Sequence, residues 1–120
     1  MTAQELKDRL KSFAYRTIKV YENLPKTVTA GIISKQLLRS SLSAAANYRA
    51  ATRAQSKKQF LPKLNIALEE MDESSFWLEV IMDLKMLPPK KLSLLIDESV
   101  ELTKILSATK NTTIKNMKNQ

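Results

Sequence analysis

The chain reads as all-α, an antiparallel up-and-down four-helix bundle, on three observations. Apolar residues recur at helical spacing in four successive segments. The breaks between them are short, at Leu24-Pro25, near Ala54-Gln55 and at Leu87-Pro88-Pro89, and short breaks favour antiparallel neighbours. A chain of 120 residues without cysteine can also bury one continuous core with no disulfide or metal staple. Residues 1–110 are expected to form the bundle as a single domain, and residues 111–120 a polar tail.

The first helix opens at Thr2, whose hydroxyl can cap it while Glu5 reaches back to complete a capping box. Its apolar stripe is Leu6, Leu10, Phe13, Ala14, Thr17, Val20 and Tyr21, and Pro25 ends it. The second, from about Thr27 to Arg53, buries Ile33, Leu37, Ser40, Ala44, Tyr48 and Ala51. Many of these are small and allow close approach, which makes this the central helix of the set. Asn47 among them reads as a buried polar group tying helices together. Ser56 and Gln59 form a second capping box before a third stripe of Phe60, Leu64, Ala67, Met71, Ser74, Leu78 and Met82. Pro62 is awkward there, because it removes a helical hydrogen bond and crowds the preceding turn, so the start is expected to be irregular or closer to Pro62. Pro89 suits the first position of the fourth helix, where its missing N–H has no intrahelical partner anyway. The buried face is then Leu92, Leu95, Ile96, Ser99, Leu102 and Leu106. Beyond Ala108 the composition turns to Asn, Thr and Lys, and Asn111 to Gln120 are expected to fray.

Charge is segregated along this framework. Residues 1–63 carry +10 (13 Lys/Arg against Glu5, Asp8 and Glu22), residues 64–103 carry −6 (3 against 9), and the remainder +4. From Asn23 to Leu68 there is no acid, yet there are eight cations. A field of one sign attracts polyanions over about 8 Å at physiological salt, so nucleic acid is the first partner to consider. Catalysis is not expected. No histidine or cysteine is present, which removes the commonest general base and any thiol nucleophile. The single glycine, Gly31, excludes glycine-rich phosphate loops. No stretch has the length and apolarity of a membrane span, and the amino end lacks the apolar run of a secretory signal. A soluble, cytoplasmic protein with no membrane partner and no cofactor is the expectation.

On the second helix Lys35, Arg39, Arg49 and Arg53 fall within an arc of about 80° at 100° per residue. Lys57 and Lys58 extend the cluster into the next turn, and Gly31 leaves the stripe unobstructed. These six cations are the candidate nucleic-acid-binding residues. Arg grips phosphate with two donors and Lys meets it as a point charge. Without interleaved aromatic residues, apart from Tyr48 on the other side, such binding follows the backbone of RNA or DNA and ignores sequence. The alternative is neutralisation by the acidic third helix, which would place Arg39 near Glu70 or Glu73 and Lys35 near Glu73 to Glu79. Arg49, Arg53, Lys57 and Lys58 face a stretch that is itself basic. Glu70, Glu73 and Glu101 raise a metal reading, but di-iron bundles need histidine as well, so no metal is expected.

The third helix has a second apolar side formed by Ile66, Trp77, Val80 and Leu84, with Phe76 at its edge. An outward apolar stripe with a tryptophan marks a protein interface, and through it a homo-oligomer. The alternative is that Trp77 tucks between the third and fourth helices.

Several runs resemble one family. Phe13-Ala14 to Leu24-Pro25, Gln36-Leu37-Leu38-Arg39-Ser40-Ser41 and Ala46-Asn47-Tyr48-Arg49-Ala50-Ala51 are similar to the four-helix bundle proteins encoded in intervening sequences of bacterial 23S ribosomal RNA genes. Ser56 with Phe60, Lys63-Leu64 with Ile66, Glu69-Glu70-Met71-Asp72-Glu73 and Phe76-Trp77-Leu78-Glu79 match that family's third helix, and the likeness spans about residues 6–106. The resemblance implies an up-and-down bundle assembled into a ring, commonly a pentamer, with basic residues at its centre and no known catalysis. A related bundle is an accessory protein of diversity-generating reverse transcriptases, where it binds nucleic acid and the polymerase. Two features depart from the pattern: Ala50-Ala51 stands where many relatives carry Glu-Gly, and the aromatic entry to the first helix is absent. The chain is thus read as a non-enzymatic oligomeric bundle that binds nucleic acid through its basic face. The competing reading is an adaptor whose oligomer binds another protein, for example a reverse transcriptase-type partner.

Overall fold

The structure, a computed structural model, describes residues 1–119. Four helices follow one another: α1 (Ala3–Asn23), α2 (Val28–Thr52), α3 (Lys57–Asp83) and α4 (Pro89–Lys118). Each packs on its neighbour in sequence, α2 on α3 most extensively, and α4 returns to meet α1 along a much slighter seam. The result is the expected all-α up-and-down bundle, an elongated body of 52 × 20 × 20 Å.

Local chemistry sets the helix ends. Thr2, Thr27 and Ser56 each accept the backbone N–H three residues on, at 3.1, 3.1 and 3.2 Å. These bonds satisfy donors that have no intrahelical partner. Only half of each expected capping box forms. Glu5 makes no return bond to Thr2, and the Gln59 side chain accepts from Gln55 N–H at 3.1 Å instead of from Ser56. Helix α3 begins at Lys57 without irregularity and carries Pro62 within its second turn. The carbonyl left without a donor belongs to exposed Lys58, where water can serve it. At the other end of α3, Lys85 adopts φ 56°. Lys85 N–H bonds the Met82 carbonyl at 3.0 Å and Met86 N–H the Ile81 carbonyl at 3.1 Å, a Schellman termination with lysine in the position glycine favours.

The core runs the length of the bundle through Leu10, Phe13, Leu37, Leu64, Met71, Leu78, Ile81, Leu92, Leu102 and Leu106, all fully buried. Tyr21, placed in the core by spacing, is 44% exposed, and Phe60, Met82 and Ile96 sit half-buried at its margin while Ile81 takes an inner position. Hydroxyl pairs join three of the seams. Thr17 meets Ser41 at 2.7 Å between α1 and α2, Ser40 meets Ser74 at 2.8 Å between α2 and α3, and Ser75 donates to Ser99 at 2.8 Å between α3 and α4. Each pair also bonds a carbonyl of its own helix, so buried polar atoms are satisfied where backbones approach closely. Asn47 does not tie helices: its amide donates to the carbonyl and hydroxyl of Ser43 on the same helix. The fourth seam is held by charge, with Arg9 donating to both Glu98 oxygens at 2.6 and 3.1 Å and lying 3.6 Å from Glu101.

Helix α4 continues to Lys118, beyond the expected tail boundary at residue 111. Thr109 and Thr113 hydroxyls bond the carbonyls four residues back, but residues 111–119 bury no side chain. Gln120, the last residue of that tail, lies outside the described residues.

Candidate nucleic-acid interface

Helix α2 positions the basic stripe because its opposite face is fixed in the core by Leu37, Ala44, Tyr48 and Ala51. Lys35, Arg39, Arg49 and Arg53 are all exposed along it, Lys58 is exposed at the start of α3, and Lys57 is half-buried beside it. A Cβ built on Gly31 would meet nothing, so the stripe is open there too.

The six candidates are not equivalent. Arg39 bonds Glu70 at 2.7 Å and also Glu73. Desolvation opposes the charge on its guanidinium, but the two carboxylates outweigh it and raise its pKa further above the ordinary value. Glu73 also accepts from the Trp77 indole at 3.0 Å, so one carboxylate serves both groups. Lys35, Arg49, Arg53, Lys57 and Lys58 form no ion pair among the described residues. The acids raised as metal ligands are engaged by arginines: Glu70 and Glu73 by Arg39, and Glu101 by Arg9.

Packing α1 against α2 creates a groove that neither helix displays alone. About 390 Å³ in volume, it has Lys7 and Lys11 on one wall and Arg49 on the other, with Tyr15 and Leu42 at one end. Lys7 and Lys11, like Arg49, form no ion pair among the described residues. Asp8 is the one acid lining the groove, and it accepts from Gln4 at 3.0 Å. Sequence reading passed over Lys7, Lys11 and Tyr15, although their i, i+4, i+8 spacing places them on one side of α1. Asp8 lies between Lys7 and Lys11, so this stretch lacks the acid-free run that made the α2 stripe stand out.

The apolar side of α3 divides. Ile66, Phe76 and Leu84 are 38%, 54% and 54% exposed, whereas Trp77 and Val80 are half-buried against the core. Phe76 and Trp77 meet edge to face with centroids 5.0 Å apart. Trp77 does not tuck between α3 and α4. Its bond to Glu73, which Arg39 also holds, puts the indole on the α2 side. The register set by Arg39–Glu73 and Ser40–Ser74 then brings Ile32 level with Val80 and Val28 level with Leu84. Val28 and Ile32 are 80% and 60% exposed, so the apolar surface spans both helices.

Residues 4–108 match the family model for 23S rRNA-intervening sequence proteins. The chain is also similar to a protein of unknown function from the S23 ribosomal protein family of Bacteroides thetaiotaomicron VPI-5482, known from its crystal structure. The two share 35% identity at a TM-score of 0.80, over 88% of this chain and 97% of that one. No curated protein matches.

Proposed function

The chain belongs to the 23S rRNA-intervening sequence protein family, and from that membership and its surface charge we propose that it is a non-enzymatic, self-associating bundle that binds nucleic acid. Contact is made through phosphates and without sequence preference, by Arg49, Arg53, Lys57 and Lys58, with Lys35 contributing. The observation that carries this reading is that Lys35, Arg49, Arg53 and Lys58 are exposed, Lys57 half-buried beside them, and none of the five has a carboxylate within ion-pair distance among the described residues, whereas Arg39 is taken up by Glu70 and Glu73. Unpaired guanidinium and ammonium groups on one face gain most from a polyanion, because the counterions they displace are released to bulk.

The test is binding of fluorescent random-sequence RNA and DNA across a salt series. Wild-type affinity should fall steeply with salt, and Arg49→Glu with Arg53→Glu should weaken it while helicity stays intact. Unchanged affinity in that variant removes the assignment.

Self-association is assigned to the apolar surface of Val28, Ile32, Ile66, Phe76, Trp77, Val80 and Leu84. A ring, the assembly the family resemblance implies, would multiply each modest basic patch. Leu84→Glu, at an exposed position that the monomer fold tolerates, should shift sedimentation toward monomer. The same apolar surface favours a second reading, an adaptor for another protein, and that reading takes first place if no RNA or DNA binds even at low salt.

A further inference from the structure

We infer that the α1–α2 groove is a single-strand site in which a base stacks on Tyr15 while Lys7, Lys11 and Arg49 hold the flanking phosphates. This inference rests on the nucleic-acid reading above and adds to it a place, a strand type and an aromatic platform. The Tyr15 ring is 54% exposed and has no aromatic partner among the described residues. It borders the groove beside Leu42, itself 44% exposed, so one end offers an accessible apolar surface while the rest is lined by three cations against one acid. Lys7, Lys11 and Tyr15 lie about 6 Å apart along α1, four residues at 1.5 Å each. That interval is one an extended strand spans with a single nucleotide.

The chemistry selects single strands. In a duplex the base faces are stacked on each other, and an aromatic side chain reaches one only when the strand is open. Stacking also tolerates any base, because every base has a π face, which agrees with binding that ignores sequence. Arg49 belongs to both the α2 stripe and the groove wall, so a strand in the groove can continue onto Arg53.

A fluorescein-labelled oligouridylate and a hairpin duplex of matched length serve as probes. Tyr15→Ala should bind the oligouridylate about tenfold more weakly, within the range of one lost stack, and the duplex as well as wild type does. Tyr15→Phe, which keeps the ring, should bind both normally. Lys7→Gln with Lys11→Gln should lower the salt slope on the oligouridylate by about 1.4, two single-strand contacts at about 0.7 each. Wild-type binding of the oligouridylate with no loss in Tyr15→Ala overturns the groove and leaves the proposed function standing. Equal losses on strand and duplex, or a Tyr15→Phe variant as weak as Tyr15→Ala, also overturn it. A wild-type protein that binds neither probe at low salt overturns both readings.

Discussion

Arg39 and Arg49 lie on one exposed stripe of one helix, and exchanging each for glutamine should produce opposite effects. Arg39 is 48% exposed at its side chain and held by Glu70 and Glu73, which are 18% and 36% exposed. Removing it leaves two carboxylates side by side at a partly buried seam. Solvent screening keeps the loss modest, about 1 kcal/mol for a two-carboxylate network of this exposure, or a fall in Tm of about 4 °C. Because phosphate would have to displace those carboxylates, Arg39→Gln should leave nucleic-acid affinity and its salt dependence unchanged. Arg49 and Arg53 have no such partners among the described residues. Their joint change to glutamine should cost at most about 0.5 kcal/mol, the scale of a cation near a helix C-terminus. It should, however, remove two phosphate contacts, which lowers the log–log salt slope by about 1.4 on single strands. Thermal unfolding and fluorescence anisotropy across a salt series measure the two effects separately. A slope that falls as far in Arg39→Gln as in the double variant would show that the ion-pair geometry does not govern which cations are free.

Ser40 and Ser74 share a bond inside the core, so either change to alanine alone should cost about 1 kcal/mol, while the double change should cost less than the sum by about 0.5 to 1.5 kcal/mol. Chemical denaturation of the four proteins gives that coupling, and strict additivity would mean the pair contributes nothing. Burial raises the Tyr48 pKa above its ordinary value. The folded state therefore holds that proton more tightly than the unfolded chain, and the resulting stability is full below about pH 10 and declines as pH rises through the folded pKa. Tyr48→Phe should flatten this part of the decline in denaturation curves measured at alkaline pH. Lys85→Gly should stabilise the protein by about 1 kcal/mol, since it relieves a left-handed residue at the end of α3, whereas Lys85→Ala should not. Thermal unfolding of the two variants distinguishes relief of backbone strain from loss of a charge.

The fold was legible because proline, capping hydroxyls and a 3.6-residue period are local signals, and the starts of all four helices follow them, whereas the end of α4, which no proline or glycine marks, runs on to Lys118. Residues at the edge of a stripe were not. Tyr21 fits the period on paper, but Val20 and Leu24 take the buried positions at the end of α1 and Tyr21 is left 44% exposed. Trp77 could be assigned an outward face but not the seam it leans toward, which depends on Glu73 and on an arginine 38 residues earlier in the chain. Within the candidate site, the α2 stripe was readable because its members share one helix. The pairing of Arg39 was foreseen as an alternative, and the geometry selects it. The groove was invisible to any single-helix reading, because it exists only where Lys7, Lys11 and Tyr15 come to lie across from Arg49 and Leu42.

Segregation of charge along the chain need not have survived folding. Helix α2 lies between α1 and α3, and a register that set its cations against the acids of α3 would have cancelled the asymmetry. Among the described residues only Arg39 is used that way, and across the α1–α4 seam only Arg9. Glu69, Asp72, Glu79 and Asp83 remain exposed along α3, and Lys35, Arg49 and Arg53 remain exposed along α2, and none of them forms an ion pair among the described residues. The folded bundle is thus positive on its α1–α2 side and negative along the outer face of α3. Such a body attracts a polyanion to one side and repels it from the other, so encounter is oriented before any contact forms. That orientation directs a strand toward the groove that holds Tyr15 and away from the face where Phe76 lies between Asp72 and Glu79. Acids beside Phe76 leave that part of the apolar surface open to another protein while discouraging nucleic acid; Val28 and Ile32, however, share the α2 face of Lys35, so it is the groove end of the stripe, at Arg49 and Arg53, that stands clear of the self-association surface.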